Sequence, residues 1–376
     1  MVKVSGSIFI AYQLKLILGA EEQMNSNSMD IIISFIIPMY KGKDYILECV
    51  SHIKRVNYPK EILIINDGSP DDSFSYCERT FREDDEVILL TKQNGGVASA
   101  RNYGLQFAKG NYLVFVDQDD VLVPEVVSKA TDIMELTGSN ILFWDTDYLL
   151  NAGQLLPNTH SLYELSVNRK DIIEKILPHF LFKKETELQC ELGPLWGAIF
   201  SREFIRDNNI CFKFFTDYED DHLFLADALM CADNVYFLPE VGYYWRIRNN
   251  STSHKRKKTT NYVNKTLRSN LYRMNQYKRI CNNTEMLDEY ETYIEQRVIL
   301  HAININCTYY NWNWSEIREI RKLLYKDKFI TAFTDHELID RNRYTVVIYT
   351  LIKKRLDYIA FFMAYLNSLR FCMNDK

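Results

Sequence analysis

Residues 111–120 read NYLVFVDQDD, an apolar run that ends in three carboxylates within four positions. The earlier runs IIISFIIPMY (31–40), EILIIND (61–67) and EVILLTK (86–92) are also almost entirely apolar. Apolar runs without alternation are typical of strands that are covered on both faces, as in a parallel sheet. These runs therefore predict an α/β domain built on a mostly parallel sheet.

Segments with helical periodicity separate the apolar runs. In DYILECVSHIKRV (44–56), four residues recur at helical spacing and would form one core-facing stripe: Ile46, Cys49, Val50 and Ile53. Further helices are expected near 71–82, over VASARNYGLQFAK (97–109) and over 124–138. Strand and helix thus alternate, so we expect helices on both faces of the sheet.

The composition bounds the class of protein. The chain has 376 residues, of which 47% are hydrophobic and 25% charged, with a net charge of −5. This balance excludes a mainly disordered chain and makes a nucleic-acid coat a poor interpretation. The eight cysteines form no CxxC pair, so neither a zinc knuckle nor a disulfide framework is indicated, and a cytoplasmic location fits best.

Three regions follow from the pattern along the chain. We expect residues 1–28 to be a poorly ordered extension and residues 29–254 to form the main domain, with halves at 29–150 and 151–254. Residues 255–376 predict a basic helical region, because 255–279 contain nine Lys or Arg and no acid. The longest charge-free apolar stretches fall short of the roughly 20 residues that a membrane-spanning helix needs.

Polar residues follow the ends of four predicted strands. In an open parallel sheet these ends meet at one edge, where ligands bind. Any single one could instead be a turn residue or a helix cap, but four in register favour a site. The residues at this edge are Pro38, Tyr40, Asp67, Gln93, Asn94, Asp117 and Asp119.

The carboxylates of the DQDD motif (117–120) would repel one another unless a cation lay among them. Carboxylate oxygens suit Mg²⁺ or Mn²⁺, which bind through one or two carboxylates and substrate phosphates. The alternative is a solvated helix N-terminus, which also favours acids.

Arg101 falls on an otherwise apolar or small-residue stripe of its predicted helix, so its charge needs a partner. That partner could be an acidic loop residue in an internal ion pair. It could also be a nucleotide or a diphosphate, which a guanidinium binds well.

Together these segments resemble the family 2 glycosyltransferases, inverting enzymes of the A-type fold that bacteria use to build capsule, O-antigen and other surface polysaccharides. The match runs from 31 to 254, in the family's order and spacing. Its segments are FIIPMY (35–40), ILIINDGSPDDS (62–73), QNGGVASARNYGL (93–105), GNYLVFVDQDD (110–120), DDHLFLADAL (220–229) and YYWRIRNNSTSH (243–254).

The resemblance implies roles for individual residues. Those assigned to the donor nucleotide are Pro38, Tyr40 and Asp67 around the base, Asn94 and Arg101 at the nucleotide or its phosphates, Asp117 at the ribose, and Gln118. Those assigned elsewhere are Asp119 and His254 as metal ligands for Mn²⁺ or Mg²⁺, Arg246 at the diphosphate, and Trp196 at the acceptor. Core packing is the alternative for Trp196, and an exposed histidine the alternative for His254. Three residues depart from the usual pattern, namely Lys41, Gln118 and Ala198.

In the family, two residues separate the catalytic acidic pair from an aromatic residue. If the pair is Asp220 and Asp221, that position is Phe224, whereas if the pair is Glu219 and Asp220 it is Leu223. The resemblance therefore assigns the base to Asp221 and a supporting role to Asp220. Acids that merely favour a helix N-terminus are the structural alternative.

The expected reaction moves a sugar from a nucleoside diphosphate-sugar, such as a UDP-sugar, to a hydroxyl of a glycan or lipid-linked oligosaccharide, with inversion. The alternatives are a metal-dependent nucleotidyltransferase and an inactive scaffold that binds sugar nucleotides. A peripheral position on the inner face of the cell membrane is expected from two features. These are the basic run and the tail, in which Lys353, Lys354 and Arg355 separate two apolar stretches.

Overall fold

The structure is a computed structural model of the chain. The structure describes residues 32–150, 154–157, 163–182, 194–213, 220–247 and 343–374, and shorter pieces between 269 and 322. The extension at 1–28, Glu219, the 251–254 segment with His254, and most of the basic run lie outside the described residues. The predicted boundary after residue 254 also lies outside them and stays a prediction.

The described residues form two compact units, one within 32–247 and the other within 269–374. Strands of the first unit are β1 (Ile33–Met39), β2 (Lys60–Asn66), β3 (Val87–Thr91), β4 (Tyr112–Phe115), β5 (Val121–Leu122), β6 (Ile141–Leu149), β7 (Leu155–Leu156), β8 (Leu165–Asn168), β9 (Ala198–Ser201) and β10 (Asn234–Arg246). Its helices are α1 (Ile46–Lys54), α2 (Ser73–Thr80), α3 (Val97–Phe107), α4 (Pro124–Thr137), α5 (Arg169–Asp171), α6 (Leu177–Phe182), α7 (Arg202–Asp207) and α8 (Asp220–Cys231).

The strands form one sheet in the order β3-β2-β1-β4-β9-β6-β10-β5, with β7 beside β6 and β8 beside β10. The pairs β1–β2, β2–β3, β1–β4 and β6–β10 are parallel. β9 is antiparallel to both of its neighbours, so it joins two parallel halves. The predicted mostly parallel sheet is confirmed.

Helices cover both faces of this sheet. The stripe predicted on α1 is buried in a core with Phe35 and Ile37 of β1 and with α4. Side chains alternate between faces along a strand, so Ile36 points to the face opposite that of Phe35 and Ile37. α3 packs on this opposite face, where Gly104 lies so close to β1 that an added Cβ would be 2.6 Å from Ile36. The α/β architecture therefore follows the predicted pattern.

The second unit contains α9 (Arg343–Lys353) and α10 (Asp357–Asn374). The two helices are separated by a turn at Arg355, whose φ is +60°. Ile348 and Ile352 of α9 are buried, as are Ala360, Phe361 and Ala364 of α10. Within the part of the chain that the structure describes, no helix has the length and apolar character needed to cross a bilayer.

Candidate active site

The DQDD motif forms the loop that leaves β4. It is followed by the two-residue strand β5, and α4 begins only at Pro124. The motif is therefore not the first turn of a helix, which was the alternative explanation for its acids. Asp120 is buried, whereas Asp117, Gln118 and Asp119 are half-buried.

Arg101 joins this loop to the start of α8. Its side chain is 3% exposed, and its Nη2 donates to Asp117 Oδ1 at 2.9 Å. Its Nη1 donates to Asp220 Oδ2 at 3.3 Å and also contacts Asp221 Oδ1. Burial alone would lower the pKa of Arg101, but the three carboxylates outweigh it and raise the pKa. The internal ion pair proposed from the sequence therefore exists, with three partners.

Asp220 and Asp221 begin α8 and differ in accessibility. The side chain of Asp220 is 9% exposed and that of Asp221 is 32% exposed. Burial raises the pKa of Asp221 to about 6, while Arg101 opposes the rise. Phe224, one turn along, is fully buried and stacks on Phe212 at 4.3 Å. Asp221 is therefore the more accessible carboxylate and is mainly ionised at neutral pH.

A second network connects the loop to β10. The Asp117 backbone N–H donates to the Tyr243 hydroxyl at 3.0 Å, and that hydroxyl donates to Asp120 Oδ2 at 2.8 Å. The Arg246 backbone N–H donates to Asp120 Oδ1, and its Nε donates to the Asp119 carbonyl, each at 2.8 Å. Burial raises the pKa of Asp120 well above its ordinary value. These bonds hold the loop in one conformation.

Arg246 is also bound on its other side. Its Nη2 donates to Glu48 Oε2 of α1 at 2.8 Å, and its guanidinium lies 5.3 Å from the centroid of the Tyr45 ring. The arginine assigned to the diphosphate is thus held beside the DQDD loop, with Glu48 as its ion-pair partner.

Asp67 lies at the end of β2 and organises the loop after β3. The backbone N–H groups of Gly95 and Gly96 donate to its carboxylate at 3.0 and 2.7 Å, and Lys92 Nζ donates at 2.8 Å. Asn94 Nδ2 donates to the Asp67 carbonyl at 2.9 Å. Gly96 has a φ of +85°, which favours glycine at the start of α3. Asp67 and Asn94, both predicted at the base and nucleotide, therefore lie together.

Gln118 bridges the DQDD loop to the end of β1. The Tyr40 N–H donates to Gln118 Oε1, and Gln118 Nε2 donates to the Tyr40 carbonyl, both at 3.0 Å. The Tyr40 side chain is left 44% exposed, and Pro38 is half-buried two residues earlier. The predicted edge residues are thus adjacent, and the amide of Gln118 acts on the protein backbone here.

Trp196 lies beneath the surface of this site. Its residue is 9% exposed, and its ring stacks on Tyr243 with centroids 4.6 Å apart. This geometry matches the core-packing alternative. Its predicted contact with an acceptor stays a prediction.

The carboxylates of this site suit a divalent cation that takes most of its ligands from substrate phosphates and water. Among the described residues, no group of three His, Cys, Asp or Glu side chains is placed to hold a metal. Mg²⁺ usually needs only one or two carboxylates when phosphates and water complete its shell. The half-buried Asp119 carboxylate fits that role, and His254 lies outside the described residues.

Three residues of the site were not identified from the sequence. Lys92 could have been found, because it directly follows the third strand at the predicted ligand edge. Tyr243 and Glu48 have no such signal, since their partners Asp120 and Arg246 lie 123 and 198 residues away in the chain.

The chain is similar in sequence to known glycosyltransferases. Residues 34–183 match the family model described as Glycosyl transferase family 2. The uncharacterized glycosyltransferase EpsJ of Bacillus subtilis is 28% identical over 221 residues, which cover 58% of this chain and 62% of that protein. A poly(ribitol-phosphate) beta-glucosyltransferase of Bacillus spizizenii is 24% identical over 57% of this chain and 32% of its own length. The chain thus spans less than two thirds of either relative.

The fold is shared with a solved structure. S. aureus TarS 1–349, in complex with UDP-GlcNAc, superposes with a TM-score of 0.64 and 17% identity. The superposition covers 90% of this chain and 92% of that one. The predicted A-type fold is therefore confirmed.

Proposed function

We propose that this chain, whose residues 34–183 match the family 2 glycosyltransferase model, transfers a sugar from a nucleoside diphosphate-sugar to an acceptor hydroxyl with inversion. A UDP-sugar is the proposed donor, and a glycan or lipid-linked oligosaccharide of a bacterial surface polysaccharide is the proposed acceptor. TarS, which shares the fold, was solved with UDP-GlcNAc. The B. spizizenii relative is named as a glucosyltransferase acting on a poly(ribitol-phosphate).

One observation carries the proposal: Arg101 brings the Asp117 carboxylate of the nucleotide edge together with Asp220 and Asp221 of α8. A residue assigned to the donor and the two residues assigned to acid–base chemistry thus bind the same buried guanidinium. A nucleotidyltransferase would need metal carboxylates but no acidic pair so far along the chain. The arrangement favours transfer to an acceptor that approaches Asp221.

In the proposed reaction Asp221 accepts the proton of the acceptor hydroxyl as that oxygen attacks the anomeric carbon. The bond from this carbon to the diphosphate breaks, and the nucleoside diphosphate leaves with the electron pair. Asp220 and Arg101 hold the base in place, which supplies part of the rate by positioning. Asp119, with His254, would hold Mn²⁺ or Mg²⁺, which neutralises charge on the diphosphate when bound.

A donor-hydrolysis assay tests this function. The purified protein should release UDP slowly from one of a panel of UDP-sugars when Mn²⁺ is present, and the same sugar nucleotide should raise its melting temperature. Pyrophosphate release from a nucleoside triphosphate and a sugar phosphate would instead identify a nucleotidyltransferase. Binding without turnover in the presence of candidate acceptors would identify an inactive scaffold.

We also infer that the second unit docks on an anionic membrane surface. Ile359, Phe362, Met363 and Leu366 of α10 are between 40% and 47% exposed and recur at helical spacing on one side of the helix. The exposed Lys353, Lys354 and Arg355 lie at the end of α9 and in the turn that precedes α10. Basic residues near an anionic leaflet contribute about 1 kcal/mol each.

Sedimentation with phosphatidylglycerol-containing liposomes should pull down the protein at low salt, and pure phosphatidylcholine liposomes should not. Phe362→Ser with Met363→Ser should reduce the bound fraction, because the stripe loses apolar area. Leu136→Ser, at a residue 37% exposed in the first unit, is the matched control. Absence of binding to anionic liposomes at low salt would reject the membrane position.

A further inference from the structure

We propose that Trp245 is the surface on which a sugar ring of the acceptor stacks, with Tyr148 beside it. The proposal rests on the proposed function, since it names the acceptor-binding part of that same site. Trp245 is 36% exposed, whereas Trp196 is 9% exposed. A sugar ring needs a flat face that solvent can reach, and only Trp245 of this pair offers a large one.

The two tryptophans belong to an aromatic row that begins at the DQDD loop. Tyr243 stacks on Trp196 at 4.6 Å between centroids, Trp196 lies 6.1 Å from Trp245, and Trp245 lies 5.7 Å from Tyr148. Exposure rises along this row, from 0% for Tyr243 to 36% for Trp245. Trp196 therefore supports the exposed ring from behind.

Trp245 is held rigidly relative to the reaction centre. Tyr243, two residues earlier on β10, is bound to Asp120, and Arg246, the next residue, is bound to Asp120 and to the Asp119 carbonyl. Two residues along a strand span roughly 6.6 Å, and their side chains share a face. A pre-ordered aromatic side chain loses little conformational entropy when a ligand binds.

The strand order assigns this surface to the acceptor rather than to the nucleotide. The predicted base pocket lies at the ends of β1 and β2, on one side of β4. β6 and β10, which carry Tyr148 and Trp245 opposite each other, lie on the other side of β4, beyond β9. The DQDD loop at the end of β4 thus lies between the two, as the reacting diphosphate-sugar must.

The test compares Trp245→Ala, Trp245→Phe and the wild type on a printed array of bacterial surface glycans and in donor hydrolysis without acceptor. Trp245→Ala should bind the glycans recognised by the wild type about tenfold more weakly, since aromatic stacking contributes about this much. Trp245→Phe should retain most binding. Both variants should release UDP from the donor at the wild-type rate. Trp314→Ala, at a residue 53% exposed in the second unit, is the matched control.

Three results would overturn the proposal. These are glycan binding by Trp245→Ala within about twofold of the wild type, a parallel loss of donor hydrolysis, and a wild type that binds no glycan on the array. Failure of the proposed function is seen separately. A wild type that hydrolyses no UDP-sugar, yet binds glycans through Trp245, refutes the enzyme and keeps the aromatic surface.

Discussion

Replacing Asp221 with asparagine should lower the rate of sugar transfer by about a hundredfold or more while leaving donor binding unchanged. The amide keeps the shape of the side chain and can still accept a hydrogen bond from Arg101, but it cannot take the acceptor proton. The 32% exposed side chain of Asp221 can reach an acceptor, whereas that of Asp220 is 9% exposed. Steady-state transfer rates and calorimetric binding of the UDP-sugar measure the two effects.

Asp220→Asn is the matched control for this assignment, because both carboxylates bind the same Nη1 of Arg101. We expect it to slow transfer less than Asp221→Asn does. If Asp220→Asn is the inactive variant and Asp221→Asn remains active, the acidic pair has been assigned one residue out of register. Melting temperatures of both variants separate a loss of catalysis from a loss of folding.

The pH profile gives an independent check of the same base. Because burial raises the pKa of Asp221 to about 6, the carboxylate becomes protonated below that pH and can no longer accept a proton. The transfer rate of the wild type should therefore fall about tenfold per pH unit below pH 6. A rate that stays constant down to about pH 5 would contradict Asp221 as the base.

Replacing Asp119 with alanine should abolish turnover and remove the metal-dependent part of nucleotide binding. Asp119 is half-buried in the DQDD loop, between Asp117, which binds Arg101, and Asp120, which binds Tyr243. The resemblance assigns the metal to Asp119, and carboxylate oxygens suit Mn²⁺ or Mg²⁺. UDP binding should be measured by calorimetry with and without Mn²⁺, and turnover by UDP release.

Asp207→Ala is the control for this experiment, since that carboxylate is 55% exposed on α7 and pairs with the adjacent Arg206. It should leave both measurements unchanged. Full activity of the wild type in excess chelator would rule out the metal requirement. Normal metal-dependent UDP binding by Asp119→Ala would show that another residue holds the ion.

Much of this site could be predicted because its residues lie at strand ends. Asp67, Asn94 and Asp117 each follow an apolar run, and parallel strands bring such ends to one edge. Gln118 was placed in the donor site, yet its amide binds the backbone of Tyr40. That bond depends on how closely the β1 and β4 ends approach, which no local pattern reports.

The sequence by itself determined strands β1 to β4 and helices α1 to α4 of the first unit, because uninterrupted apolar runs and helical stripes each allow one kind of burial. It also determined the DQDD loop at the ligand edge and the helices of the tail. Only the tertiary structure decided that Arg101 faces Asp220, 119 residues away, and that Tyr243 covers Trp196 while leaving Trp245 exposed. Such contacts depend on the strand order, in which the antiparallel β9 separates β4 from β6. Periodicity reports which face of an element is buried, but not which distant residue it is buried against.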